Sequence, residues 1–217
     1  EKKDYALIKA GNPLSIAPRA HCHNDTLSLE LWVNGKPVFI DPGTFCYSSD
    51  IDKRNYFRST LMHNTVTVNN EEINPLNKNV FYLNWQTNFT CKDWSNLPEE
   101  IRFIGEHDAF NNRFGIIIRR SISYYPNKSS WSIKDEIVGN NLSNQNIISK
   151  WILNPDLNFQ YNKSSNIWSD RNHIYLQFND SDNVSVEPVY YAPQFGVLSN
   201  TSAFSVEINP NKNKVCK

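Results

Sequence analysis

Between Leu27 and Gly43 the chain leaves itself little conformational choice. Leu27, Leu29, Leu31 and Val33 alternate with Ser28, Glu30 and Trp32, the period of two expected of a strand with one buried face. Asn34-Gly35 follows, a pair suited to the tight turn of a two-residue hairpin. Pro37 to Ile40 returns as the partner strand, and Asp41-Pro42-Gly43 closes it with a second turn. The hairpin also brings two ends together. Asp41, at the end of the returning strand, is placed beside the start of the outgoing one, where His23 and Asp25 stand.

The remaining strand-like runs are short. They are expected at residues 5–9, 64–68, 80–83, 101–105, 114–124, 131–138, 147–153, 157–161, 173–178, 184–189 and 204–208, with Asn, Ser, Gly and Pro clusters between them. Residues 50–62 are polar and lack alternation, as in a loop with a short helical turn. No long stretch shows a 3.6-residue period. Many short strands at regular spacing define an all-β protein, an antiparallel two-sheet β-sandwich or a barrel. With no internal repeat or linker, residues 1–217 read as a single domain.

Composition narrows the partners. Lys and Arg number 22, as do Asp and Glu, so no charge excess points to nucleic acid or a membrane surface. No apolar run approaches the roughly 20 residues of a membrane-spanning helix. Cys22, Cys46, Cys91 and Cys216 contain no C-x-x-C pair, which argues against a cysteine-type zinc site, and they are expected as free thiols. A chain that starts at Glu1 and shows no leader is expected to be a processed or excised piece.

Three of the five histidines fall between residues 21 and 63. On an extended strand, His21 and His23 would project to one side, roughly 7 Å apart. Asp41 adds a hard anionic ligand and His63 a third donor from a neighbouring strand. Three protein ligands with an open position suit catalytic zinc or another divalent metal, and Asp25 or Glu30 can orient an imidazole from behind. The plainer reading is of hydrogen-bonded polar residues at strand ends. A second cluster, Arg54, Tyr56, Arg58, Ser59 and Thr60, suits carboxylates or sugar hydroxyls, or an ordinary solvated loop. His107 and His173 stand alone and read as structural. Trp32 is expected to pack rather than to stack on a sugar. A cupin-like metalloenzyme, with Glu30 as ligand beside His-x-His, is the alternative metal site, but strand parity sends Glu30 to the face opposite the histidines. No G-x-S-x-G elbow marks a serine hydrolase.

The linked motifs His21-Cys22-His23-Asn24-Asp25, Val38-Phe39-Ile40-Asp41-Pro42-Gly43-Thr44, Tyr56-Phe57-Arg58-Ser59-Thr60 and His63-Asn64-Thr65-Val66 resemble the heparinase II/III-like family in its β-rich C-terminal domain. Trp151-Ile152-Leu153-Asn154-Pro155 and Pro193-Gln194-Phe195-Gly196 add a weaker likeness. The resemblance implies an antiparallel, supersandwich-like β-sandwich that follows an N-terminal α/α toroid, itself absent from this chain. It implies a bacterial polysaccharide lyase, periplasmic or secreted, that cleaves acidic, uronic-acid-containing polysaccharides by β-elimination. His23, Asp41 and His63 match the family's zinc ligands, and His21 its substrate-facing histidine. With Tyr47 and Arg58, His21 completes the catalytic candidates. Cys22 and Asn24 stand where the family usually has Gly and a small residue. Because the toroid usually supplies the catalytic Tyr and the group that neutralises the carboxylate, the chain alone is expected to be inactive. The alternative is a non-catalytic acidic-glycan-binding or surface-polysaccharide assembly module.

Overall fold

A computed structural model describes residues 3–13, 19–77, 82–140, 142, 144–179 and 183–209, and the backbone of 214–215. In chain order the strands are β1 (Tyr5–Ile8), β2 (Leu29–Val33), β3 (Lys36–Phe39), β4 (Val66–Val68), β5 (Phe89–Asn96), β6 (Ile101–Phe110), β7 (Ile116–Tyr125), β8 (Ser130–Gly139), β9 (Ile147–Ile152), β10 (Gln160–Asn162), β11 (Ile167–Ser169), β12 (Tyr175–Leu176), β13 (Asn183–Gln194), β14 (Val197–Glu207) and β15 (Lys214–Val215). Two short helices, α1 (Ile51–Phe57) and α2 (Asn111–Phe114), interrupt them.

Two larger sheets form the sandwich. One has the order β13-β14-β9-β4 and the other β15-β8-β7-β6-β5. Every described pairing is antiparallel except that of β15 with β8. Val66, Val68 and Ile147 of the first sheet pack on Phe110, Ile116, Ile118 and Ile137 of the second. The small sheet β1-β2-β3 adds Leu29, Leu31, Val38 and Phe39, with Leu27 just before it, to a second core with Phe103, Ile122, Trp151 and Phe204. Met62, Ile152, Val189 and Ala203 form a third cluster, with Ile40 against it. All-β antiparallel architecture is therefore as the sequence patterning required.

The opening hairpin forms as its residues dictate. Asn34 and Gly35 both take positive φ, 54° and 72°, the conformation that the two-residue turn demands. Trp32 stacks on Tyr5 at 4.5 Å, packing as expected. One element departs from expectation. Leu27 has φ 61°, and the Ser28 amide turns back to the Asp25 carbonyl at 2.8 Å. A leucine in the left-handed region ends any strand, because its side chain crowds the backbone there. The segment carrying His21 and His23 is consequently a loop and not the extended strand expected. Leu27 is still buried, at 1 % exposure, so its place in the apolar alternation hid the break.

Other differences have simple causes. β5 and β11 lack a clean apolar alternation; β5 is a sheet-edge strand with mostly polar, exposed residues. β13 and β14 run beyond residues 184–189 and 204–208, through 190–194 and 197–203, whose residues carry no clean apolar alternation. Pro188 sits within β13, which is tolerated because that strand is an edge. Of the run 80–83, Val80 and Phe81 lie outside the described residues, and Tyr82 and Leu83 are not in a strand. Cys22, Cys46 and Cys91 are free thiols, while Cys216 lies outside the described residues.

His107 lies fully buried in β6, and its Nδ1 accepts the Ala109 amide at 3.4 Å. Burial, reinforced by the nearby Arg120 charge, holds its pKa down to about 4. A histidine whose folded-state pKa lies below the unfolded value of about 6.5 contributes stability that is complete above that pH and lost as the pH falls toward the folded value. Urea unfolding should show His107→Gln losing about 1 kcal/mol less than the wild type between pH 6.5 and 5.5.

Candidate functional site

The site is built where the His21–Leu27 loop, the turn after β3 and the segment between α1 and β4 converge. His63 follows a single 3-10 turn, Thr60–Met62, and is fully buried. Its Nδ1 lies 2.8 Å from the Ser59 carbonyl oxygen. That oxygen can only accept, so Nδ1 carries a proton and Nε2 presents its lone pair in the neutral ring. The atom facing that lone pair is His23 Nδ1, at 3.1 Å. His23 must therefore donate from Nδ1, which leaves its own Nε2 facing the Thr44 hydroxyl at 3.5 Å. Burial, and next the neighbouring His63, push the His23 pKa down to about 3, so the ring is neutral near pH 7.

Asp41 completes the group. Its Oδ2 is 3.6 Å from His63 Nε2, and its Oδ1 accepts the Gly43 amide at 2.8 Å. Gly43 has φ 77°, and a Cβ there would fall 2.2 Å from the Ala192 carbonyl oxygen, so the Asp41-Pro42-Gly43 turn has room for glycine alone. Glu30 is closer to this group than strand parity indicated. Its carboxylate accepts the Asp41 amide, and its pKa is raised first by burial and next by the Asp41 charge. The break at Leu27 explains the difference, since alternation cannot be carried back through it to the histidines.

Two imidazole nitrogens and a carboxylate oxygen, separated by 3.1 and 3.6 Å, match in kind and spacing the donors around a tetrahedral zinc, whose ligand atoms lie roughly 3.4 Å from one another. The Ser59 carbonyl on His63 Nδ1 is the outer partner that a ligating histidine usually has. As arranged here, however, the two histidines bond to each other. Among the described residues no group of three or more His, Cys, Asp or Glu is set to hold a metal ion. Ligation would require the His23 proton to leave Nδ1.

His21 and Tyr47 meet on the rim. The His21 ring lies edge-on to Tyr47 at 4.9 Å, and Tyr47 lies against Phe195 at 5.3 Å. Phe195 is 63 % exposed at the tip of the β13–β14 hairpin, which the Gly196 amide ties to the Phe45 carbonyl at 2.8 Å. Arg58 is buried, at 2 % exposure. Its Nε donates to Asn55 Oδ1 at 3.0 Å, and its carbonyl accepts the Asn24 amide at 2.9 Å. Burial, and next Arg54, lower its pKa, and its charge acts on His23.

Several residues that sequence reasoning passed over hold the site together. Asn64 donates to the carbonyls of Leu29 and Ile40 and accepts the Ile152 amide. Arg120 reaches the carbonyls of Leu27 and Asn64 from β7. Asn24 and Asn74 bond side chain to side chain, and both connect onward, Asn24 to Glu72 and Asn74 to Thr87. The motif His63-Asn64-Thr65 contained Asn64, but nothing in the chain's pattern marked Arg120 or Glu72.

The family model described as "Heparinase II/III-like, C-terminal" matches residues 2–217. The chain belongs to this family. Among curated relatives, a heparin-sulfate lyase from Bacteroides stercoris is 32 % identical over 146 residues, 65 % of this chain and 19 % of that protein. One from Pedobacter heparinus is 24 % identical over 193 residues, 83 % of this chain and 24 % of that protein. Among solved structures, the heparan sulfate lyase HepC from Pedobacter heparinus aligns with TM-score 0.73 at 20 % identity, covering 94 % of this chain and 30 % of that one. A heparinase III, the BT4657 gene product, gives TM-score 0.72 with the same identity and coverage. The heparinase II/III-like domain seen here therefore spans about a fifth to a quarter of the curated relatives it matches.

Proposed function

We propose that this domain forms the C-terminal part of a lyase that cleaves heparan-type, uronic-acid-containing polysaccharide by β-elimination. The observation that carries this reading is the convergence of His23, Asp41 and His63, from three separate segments, beside a rim formed by His21 and Tyr47. In the reaction a base removes the proton next to the uronate carboxylate. The glycosidic C–O bond breaks, a C=C bond forms in the uronate, and the departing oxygen takes up a proton. Charge builds on the carboxylate meanwhile and needs positive groups nearby. In this reading His21 and Tyr47 meet substrate from the rim, and the His21 imidazole serves in proton transfer. Arg58, buried at the C-cap of α1, would contribute positive charge. His23, Asp41 and His63 would hold a zinc ion, which would supply positive charge to the cleft. The name of the curated relatives, heparin-sulfate lyase, supports the substrate class. The relatives are bacterial; a periplasmic or secreted setting and an α/α toroid partner domain that completes the cleft belong to the same proposal.

Elemental analysis of the purified domain should find about one zinc per chain, and His23→Ala should remove most of it. Less than about 0.2 metal per chain, unchanged by His23→Ala, would rule out the metal site. In the protein joined to its N-terminal part, heparan sulfate should yield product with the ultraviolet absorbance of a new C=C bond. Binding without such product would instead mark a non-catalytic acidic-glycan-binding module.

A further inference from the structure

One carboxylate oxygen touches both halves of the site without belonging to either. Glu72 Oε2 accepts from Asn24 Nδ2 at 2.6 Å, from the Thr60 amide at 2.8 Å and from the Thr60 hydroxyl at 2.8 Å. Asn24 follows His23 directly in the loop. Thr60 opens the 3-10 turn that delivers His63, whose amide donates to the Thr60 carbonyl at 3.1 Å. Both Asn24 and Thr60 are fully buried, so neither has water as a substitute partner. Each is also held from a second side. Asn24 exchanges bonds with Asn74, and the Thr60 hydroxyl accepts the Ile73 amide at 2.8 Å. Glu72, Ile73 and Asn74 thus form one short segment that grips the two histidine-bearing segments at once.

We propose that Glu72 is a positioning residue that sets the spacing of His23 and His63 by clasping Asn24 and Thr60 on a single oxygen. A hydrogen bond to a charged acceptor is shorter and stronger than a neutral one, and three donors on one buried-side oxygen leave little freedom between the segments they come from. The 3.1 Å contact between His23 Nδ1 and His63 Nε2 draws on that restraint beside the bond of the Asn24 amide to the Arg58 carbonyl at 2.9 Å, because no strand pairing joins the His21–Leu27 loop to the 3-10 turn. The inference concerns the same site as the proposed lyase and zinc reading, but the spacing exists without metal and is tested without it.

The direct readout is the histidine tautomer in metal-stripped, nitrogen-15-labelled protein. Free neutral histidine favours the proton on Nε2, whereas the geometry here requires it on Nδ1 of both His23 and His63. Long-range proton–nitrogen spectra of the wild type should show both Nδ1–H forms. Glu72→Ala should return His23 to a mixed or Nε2–H form, while Glu72→Gln, which keeps an oxygen acceptor in place, should retain the wild-type pattern. Where Glu72→Ala does not fold by circular dichroism, Glu72→Asp serves, because it withdraws the carboxylate by one methylene and should cause the same loss. A wild-type tautomer pattern in a folded Glu72→Ala or Glu72→Asp protein overturns the proposal. Zinc titration is the second arm. Glu72→Ala should weaken binding about 10- to 100-fold, as loss of an outer-sphere partner does, with Glu72→Gln near wild type. If the wild type binds no zinc, the metal reading fails, and the tautomer arm still decides the role of Glu72.

Discussion

Arg120→Ala should destabilise the domain by about 3–5 kcal/mol, the cost of breaking a buried ion pair from one side. Arg120 replaces an apolar residue in the otherwise regular inward row Ile116, Ile118, Ile122 of β7, and it is fully buried. Its Nε and Nη2 engage both oxygens of Asp135 on β8 at 2.7 Å each. Nη1 donates to the carbonyls of Leu27 and Asn64, and the guanidinium lies 4.6 Å over the Trp151 ring. Alanine would leave the Asp135 carboxylate, which is 6 % exposed, buried and facing Ser149 alone. It would also release Leu27 from its left-handed turn and Asn64 from its place beside His63. Urea unfolding should show a midpoint shift of that size with an unchanged slope. Replacing Arg120 and Asp135 together by Met and Leu should recover part of the loss, because two apolar residues leave no stranded charge. If the double variant is no more stable than Arg120→Ala, the carbonyl contacts rather than the ion pair carry the effect.

Asn64→Leu should cost about 3 kcal/mol or more, although leucine has the same branched skeleton of side-chain heavy atoms. The Asn64 side chain joins three segments: the Leu29 carbonyl on β2 at 2.8 Å, the Ile40 carbonyl after β3 at 3.0 Å and the Ile152 amide on β9 at 2.6 Å. Leucine strands these buried backbone groups, at about 1–3 kcal/mol for each that finds no other partner. Asn64→Asp should be comparably damaging, since an acceptor oxygen would then face two carbonyl oxygens. Thermal unfolding of both variants separates bonding from packing. A loss in Asn64→Leu with none in Asn64→Asp would assign the effect to shape. Because His63 precedes Asn64, both variants should also lose the Nδ1–H tautomer of His63.

Some of this was legible from the residues. The Leu27–Gly43 stretch announced its hairpin because alternation, Asn34-Gly35 and Asp41-Pro42-Gly43 are local signals, and local sterics decide such turns. That proximity of strand ends also brought Asp41 into the company of His23 and His63. The loop at Leu27 was not legible. Leu27 keeps the apolar period while its backbone departs from it, held by Arg120, by the Asp25 turn and by its own amide on the Lys9 carbonyl at 2.9 Å. Glu30 was misplaced for the same reason. Arg58, a catalytic candidate from the motifs, caps the C-terminal end of α1 and is buried there, a burial that no local pattern announces.

The sequence by itself determined an all-β antiparallel protein, its first hairpin and the residue types of the site, because period, turn chemistry and ligand chemistry are properties of neighbouring residues. Tertiary structure decided the rest. Which nitrogen of His23 meets which of His63, that Asn64 and Arg120 stitch the strands behind them, and that Glu72 holds their two segments together are relations between residues up to 93 positions apart. Such relations depend on where separate strands come to lie in the packed sandwich, and no local pattern in the chain encodes that distance.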